Sequence, residues 1–286
     1  MHRPLDHLVL ATRDLDAMGA FYEALGFKVG ARNRHPWGTE NRIVQFPGAF
    51  LELIAVGDGA VIPPHASGIF SFGAFVRDYL DKREGFAMLV LESRDAVADK
   101  AAFDKAGIGG FETFFFERKG MRTDGTPVDV SFTLAFAADR LAPQCGFFVC
   151  QQHRPENFWN PAAQQHPNGA VALAGVAMVA DEPSDHAEFM RAFTGIDAFS
   201  ATSAGLRFAT PRGDLDVLSR AAFSYEYGQP TAGGAPELAA FTIAAPDLEP
   251  VKQRLADKAI PYQSVQGAII VAASHAFGTA IRFVTR

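Results

Sequence analysis

One pattern occurs four times along this chain: an apolar strand, an acidic turn, an amphipathic helix, then further strands. The first occurrence reads LDHLVLATRDLDAMGAFYEALGFKV. Leu5–Ala11 alternates like a strand, and Asp14 sits in the turn. Met18, Phe21 and Leu25 recur at three- and four-residue spacing, which places them on one helical face. Gly26 stops the helix, and Phe27–Val29 starts the next strand. Asn41–Phe46 and Phe50–Val56 follow, joined by the Pro47–Gly48 turn. The second copy begins with Ala87–Ile108, turning at Asp95 and stopping at Gly107, with later strands at Val130–Phe136 and Gly146–Gln152. The third opens with Ala172–Ile196 and continues through GLRFATP and DLDVLSR. The fourth opens with Glu237–Ile260 and ends in AIIVAAS and TAIRFVTR. Aligned on their turn acids, Asp14, Asp95, Glu182 and Asp247, the copies start roughly 65 to 87 residues apart.

A single βαβββ unit is too small and too one-sided to bury its own sheet. Two units side by side can curl one sheet around a hollow. Four units therefore predict an α+β protein of paired βαβββ modules in two domains, residues 1–153 and 170–286. The polar, proline-rich stretch His153–Gly169 supplies the linker, residues 154–169. A length of 286 residues suits two domains.

Composition narrows the function classes. A formal charge of −6 gives no basic footprint for nucleic acid or an anionic membrane. No run of eighteen apolar residues and no signal-peptide core is present, so the expected compartment is the cytoplasm. Glycine-rich dinucleotide and Walker loops, a nucleophile elbow and paired C-x-x-C motifs are absent, so no nucleotide cofactor is expected. Cys145 and Cys150 lie about 16 Å apart along an extended strand, beyond the roughly 7 Å disulfide limit, and read as buried thiols. The chain has 26 Phe against 5 Tyr and 2 Trp. Phe114, Phe115, Phe116, Phe132, Phe147 and Phe148 read first as core, with the lining of a dry ligand cavity as the alternative. Arg118, Lys119 and Arg122 form one small basic cluster, read as a solvated turn.

The segments Asp6–Ala17, Arg34–Ile54 and Phe147–Ala170 resemble the vicinal oxygen chelate superfamily, and more narrowly its glyoxalase-like domain proteins. That resemblance implies ligands on the first and fourth strands of each module. His7 and Glu52 hold those positions in module one. The first-strand counterparts are Met88, Gly175 and Ala240. The fourth-strand counterparts are Val149 or Cys150, then Asp216, then Arg282. The second domain thus lacks both histidines and places a cation where a carboxylate belongs.

The expected site is therefore in the first domain: His7, Glu52 and His153 as metal ligands, with Glu52 as a ligand or a base. His35, Asn41, Arg42, Phe132 and Phe148 are the candidate substrate residues. Imidazole plus carboxylate suits Fe, Mn, Zn or Ni without choosing among them. His166 reads as structural, and His2, His65, His186 and His275 as loop or helix-surface residues. The implied function is a metal-dependent enzyme, lyase, isomerase or dioxygenase-like, acting on a small oxygen-bearing or aromatic substrate. A metal-free protein that sequesters a small hydrophobic ligand is the alternative. A small molecule is the expected partner, and homodimerisation is left open.

Overall fold

The structure, a computed structural model, describes residues 2–121, 126–231 and 233–286. Arg122 lies outside the described residues.

Module one comprises β1 (Leu5–Ala11), α1 (Leu15–Ala24), β2 (Asn33–Arg34), β3 (Thr39–Phe46) and β4 (Ala49–Val56). A connecting helix, α2 (Phe72–Leu80), leads to module two: β5 (Gly85–Glu92), α3 (Ala96–Lys105), β6 (Phe114–Met121), β7 (Pro127–Ala137) and β8 (Gly146–Gln152). After the short α4 (Pro155–Phe158), module three runs through β9 (Ala172–Val179), α5 (Ala187–Thr194), β10 (Ser200–Thr202), β11 (Gly205–Ala209) and β12 (Asp214–Leu218). A second connecting helix, α6 (Arg220–Tyr227), precedes module four: β13 (Glu237–Ala245), α7 (Glu249–Asp257), β14 (Gln263–Val265), β15 (Ala268–Val271) and β16 (Ala280–Thr285).

Each pair of modules makes one eight-stranded sheet, and the two sheets share one topology. The orders are β2-β3-β4-β1-β5-β8-β7-β6 and β10-β11-β12-β9-β13-β16-β15-β14. Within a module the first and last strands pair in parallel; modules join through antiparallel first strands. The turn acids explain why helices start where they do. Asp14 accepts the Ala17 N–H and Asp95 those of Val97 and Ala98, each satisfying donors a helix start leaves free. Asp247 likewise accepts the Glu249 N–H. Glu182 makes no side-chain cap, and a 3-10 turn at Pro183–His186 stands between it and α5.

One expected strand moves. Phe27–Val29 is not a strand, because Phe27 turns inward against Tyr22, Phe46 and Phe283, and the edge strand β2 starts only at Asn33. The helix-bearing faces of both sheets share one core, from Leu8 and Met18 to Phe193, Phe241 and Phe283. His186 is not on a surface: it is buried at this junction with Nδ1 2.6 Å from Asp139 Oδ2. The opposite, concave faces carry separate clusters, and the hollow described next belongs to the first. Cys145 and Cys150 are free and buried. No described helix is long and apolar enough to cross a membrane.

Candidate active site

Alternation along β1 sends Leu8 and Leu10 to the helices and His7, Val9 and Ala11 to the concave face. A bulge interrupts this order at its start. Against β5, Leu5 faces Leu91 and His7 faces Val90, so Asp6 has no cross-strand partner. Such an extra residue re-aims a side chain, and Asp6 Oδ1 comes to 2.5 Å from His7 Nδ1. Gln152 Nε2 donates to the other Asp6 oxygen at 3.1 Å. Asp6 and His7 are both buried, and the imidazole stacks on Phe50 at 4.2 Å with the edge of Phe148 against it. Held through Nδ1, His7 turns Nε2 toward Glu52, whose Oε2 is 3.8 Å away.

Glu52 stands on the concave face of β4, between Phe50 and Ile54, while Leu51 and Leu53 pack toward the helices. An uncompensated carboxylate there would be costly; Asn41 Nδ2 donates to its Oε1 at 2.5 Å. Asn33 Nδ2 donates to Asn41 Oδ1 at 3.2 Å, and Arg118 donates to Asn33 Oδ1 at 3.4 Å, which makes a polar chain ending on Glu52. His35 lies on the Oε1 side, its Nε2 3.8 Å from that oxygen and 3.3 Å from the Asn41 amide. Its Nδ1 is hydrogen-bonded with Thr39 Oγ1 at 2.8 Å. Burial drives the His35 imidazole down to about 4, opposed by Glu52 and helped by Arg118, so it is neutral at neutral pH.

Around this polar group Trp37, Phe50, Phe72, Phe116, Phe132 and Phe148 wall a narrow hollow with an open mouth. The structure thus brings together His7, His35, Asn41, Glu52, Phe132 and Phe148. It separates two expected residues from them. Arg42 points away on β3 and donates to Asp16 Oδ1 at 2.9 Å. His153 lies past the end of β8, exposed, with Nε2 2.7 Å from Thr133 Oγ1 and its ring near Phe115. His166 is structural: its Nε2 donates to the Gln45 carbonyl and its Nδ1 accepts the Lys28 N–H.

Register assigns the counterparts. Val9 stands opposite Glu52 where β1 meets β4, and Val90 opposite Phe148 where β5 meets β8. Phe148, not Val149 or Cys150, is therefore the counterpart of Glu52, and Met88 that of His7. The same count gives Gly175 with Asp216, and Ala240 with Arg282. Two of the first domain's four ligand positions are apolar. The two imidazoles flank opposite oxygens of Glu52 rather than converging on one point, and the expected set His7, Glu52, His153 is not assembled. Among the described residues no group of three or more His, Cys, Asp or Glu could hold a metal ion. His7 and Glu52 alone fall short of the three or more protein ligands that such centres take, so this donor set does not fit a metal centre of the expected kind.

Two residues were missed. Asp6 depends on a bulge that no sequence period reveals. Arg118 belongs to β6, where Phe114, Phe116 and Arg118 alternate toward the hollow and exposed Phe115, Glu117 and Lys119 away from it.

Residues 5–194 match the family model described as a glyoxalase-like domain. No curated protein matches the chain in sequence. Among solved structures, a hypothetical protein from Staphylococcus aureus is similar at a TM-score of 0.70 and 12% identity, over 99% of this chain and 100% of that one. A mutant 4-hydroxymandelate synthase from Streptomyces coelicolor is similar at 0.58 and 12%, over 100% and 93%. A fusion of a xylose isomerase-like TIM barrel with a 4-hydroxyphenylpyruvate dioxygenase is similar at 0.53 and 10%, over 100% of this chain and 49% of the fusion. At such identities the likeness is one of fold.

Proposed function

This chain belongs to the glyoxalase-like domain family, and on that premise we propose that its first domain transfers a proton on a small, flat, oxygen-bearing molecule held between His7 and Glu52. One observation carries the reading: Glu52 Oε2 and His7 Nε2 face each other across 3.8 Å inside an aromatic-walled hollow. That gap is too wide for a direct hydrogen bond, yet it admits a carbonyl oxygen against His7 Nε2 with the neighbouring C–H against Glu52 Oε2. Asn41 fixes the far oxygen of Glu52 and Asp6 the far nitrogen of His7, so both reactive atoms are pre-oriented.

In the step proposed, Glu52 takes a proton from carbon next to a carbonyl. The C–H pair becomes the enolate double bond, and the carbonyl π pair moves onto oxygen, where His7, entering the step as the imidazolium with its Nδ1–H on Asp6, delivers its Nε2 proton. Returning the proton to the same carbon completes exchange; where that carbon bears a hydroxyl, the proton can go instead to the former carbonyl carbon as the hydroxyl gives up its own proton and becomes the new carbonyl, which is isomerisation, with no oxidant and no co-reactant. A second reading, sequestration of a hydrophobic molecule, is supported by the apolar Met88 and Phe148 at two of the family's ligand positions.

Deuterium uptake from D2O at the C–H of hydroxyacetone and of pyruvate, followed by NMR, tests both. Catalysed uptake that Glu52→Gln abolishes is expected. Uptake equal to the buffer rate, or unchanged in the variant, overturns proton transfer; saturable binding without uptake leaves sequestration.

A further inference from the structure

Sheet order makes β2 and β6 the two edges of the first sheet, farthest apart in the hydrogen-bonded ladder. The sheet curls until those edges approach, and the Arg118–Asn33 hydrogen bond of 3.4 Å spans the gap. Arg118 borders the same hollow as His7 and Glu52. It forms no ion pair among the described residues, and Asn33 is its one hydrogen-bond partner there. A partly buried guanidinium normally finds a carboxylate or a phosphate in bidentate geometry. Burial pulls its proton affinity below the usual value, and the charge of Glu52 only partly offsets this. Trp37, also on the wall, buries an indole N–H that has no acceptor among the described residues. Arg118 and Trp37 thus bring to the hollow donors that the described residues do not fully match.

Resting on the reading of the hollow as a substrate site, the geometry points to a substrate that carries one carboxylate, held by Arg118 at the junction of the two sheet edges, with its reactive oxygen lying toward His7. A single negative charge fits better than two, because Glu52 and Asp6 already place carboxylates on this face. Arg118 is thus the specificity-determining residue, and the carboxylate would replace Asn33 as its partner.

Isothermal titration with benzoate, benzamide and phenylphosphonate tests this. Native protein should bind benzoate at least about 10-fold more tightly than benzamide, since a charge-assisted pair is at stake. Arg118→Met should bring that ratio near unity, and Arg118→Lys should keep part of it. Lys119→Met, which removes an exposed charge outside the hollow, should leave the ratio as it was. Thermal melts establish that each variant is folded. A ratio near unity in native protein, a ratio that survives Arg118→Met, no binding of any of the three, or tighter binding of phenylphosphonate overturns the inference. Arg118-dependent benzoate binding without deuterium uptake retains this inference and removes proton transfer. Uptake on hydroxyacetone without a benzoate preference does the reverse.

Discussion

The two concave faces share strand order and register, yet only the first holds a hollow lined by His7 and Glu52. In the second domain the matching carboxylate, Asp216, is claimed by Arg207 through two hydrogen bonds of 2.7 and 2.9 Å. Arg282, opposite Thr242, reaches Glu226 at 3.4 Å and lies over the Tyr227 ring. Phe223 and Tyr227 of α6 then cover part of the face, packing with Ala177, Ala240 and Ala280. Connection length accounts for the difference. Ser219 alone separates β12 from α6 and caps it, so the helix is laid directly on its own sheet. Residues 57–71 separate β4 from α2, which packs farther along with Val76, Tyr79 and Leu80 and gives only Phe72 to the hollow wall. Identical topology thus leaves His7 and Glu52 beside an aromatic-walled hollow in one domain and packs aromatic side chains of the connecting helix onto the sheet in the other, according to where that helix lands.

The largest effect that can break this comparison is on turnover. Glu52→Gln should cut deuterium uptake by about 10²–10⁴-fold, the usual worth of a general base. Asp216→Asn, at the matching position, should leave uptake at the native rate, because its carboxylate is spent on Arg207. A comparable loss in both variants would mean that the two faces are not functionally distinct.

How much of this could be read from the sequence depends on what anchored the count. The four-module order and β1 were legible because period-2 and period-3.6 patterns alternate cleanly there. Counting back from turn acids placed Gly175 and Ala240 in the matching register because each acid lies two or three residues past its first strand, whether an α-helix or a 3-10 turn follows. The same count had no anchor at β8, where Phe148, Cys150 and Gln152 share one face, so His153 was credited with a direction it does not have. Arg118 was legible and misjudged: the alternation Phe114, Phe116, Arg118 marks a strand face, but a neighbouring Lys and Arg made it look like a charged turn. Asp6 was not legible, since a bulge exists only in the pairing of two strands.

A smaller effect tests the plugged face. Tyr227→Ala removes a ring that is 2% exposed and stacked on Phe223 at 4.5 Å. The lost burial and the cavity left behind should cost about 3 kcal/mol, measured by urea unfolding. Uptake activity should not appear in the second domain, because Gly175 and Ala240 supply no imidazole there. A loss under about 1 kcal/mol would show that α6 is not the plug.

The smallest effect separates the domains by acid sensitivity. His35 is held neutral in the folded first domain, down to about 4, whereas its unfolded value is near 6.5. Above pH 6.5 neither state binds the proton, so the residue adds no pH dependence. Below it the unfolded chain takes up a proton that the fold refuses, and stability falls until about pH 4, by at most about 3 kcal/mol. His166, also lowered by burial, works in the same direction. The second domain has no equivalent within its concave face: His186 is paired with Asp139 at the junction and His275 is exposed. Urea midpoints measured from about pH 7 to pH 4.5 should therefore fall less steeply in His35→Asn than in the native protein, whatever the variant's stability at neutral pH. Parallel curves would place the acid sensitivity elsewhere and leave His35 without the cost that its burial between Trp37 and Glu52 implies.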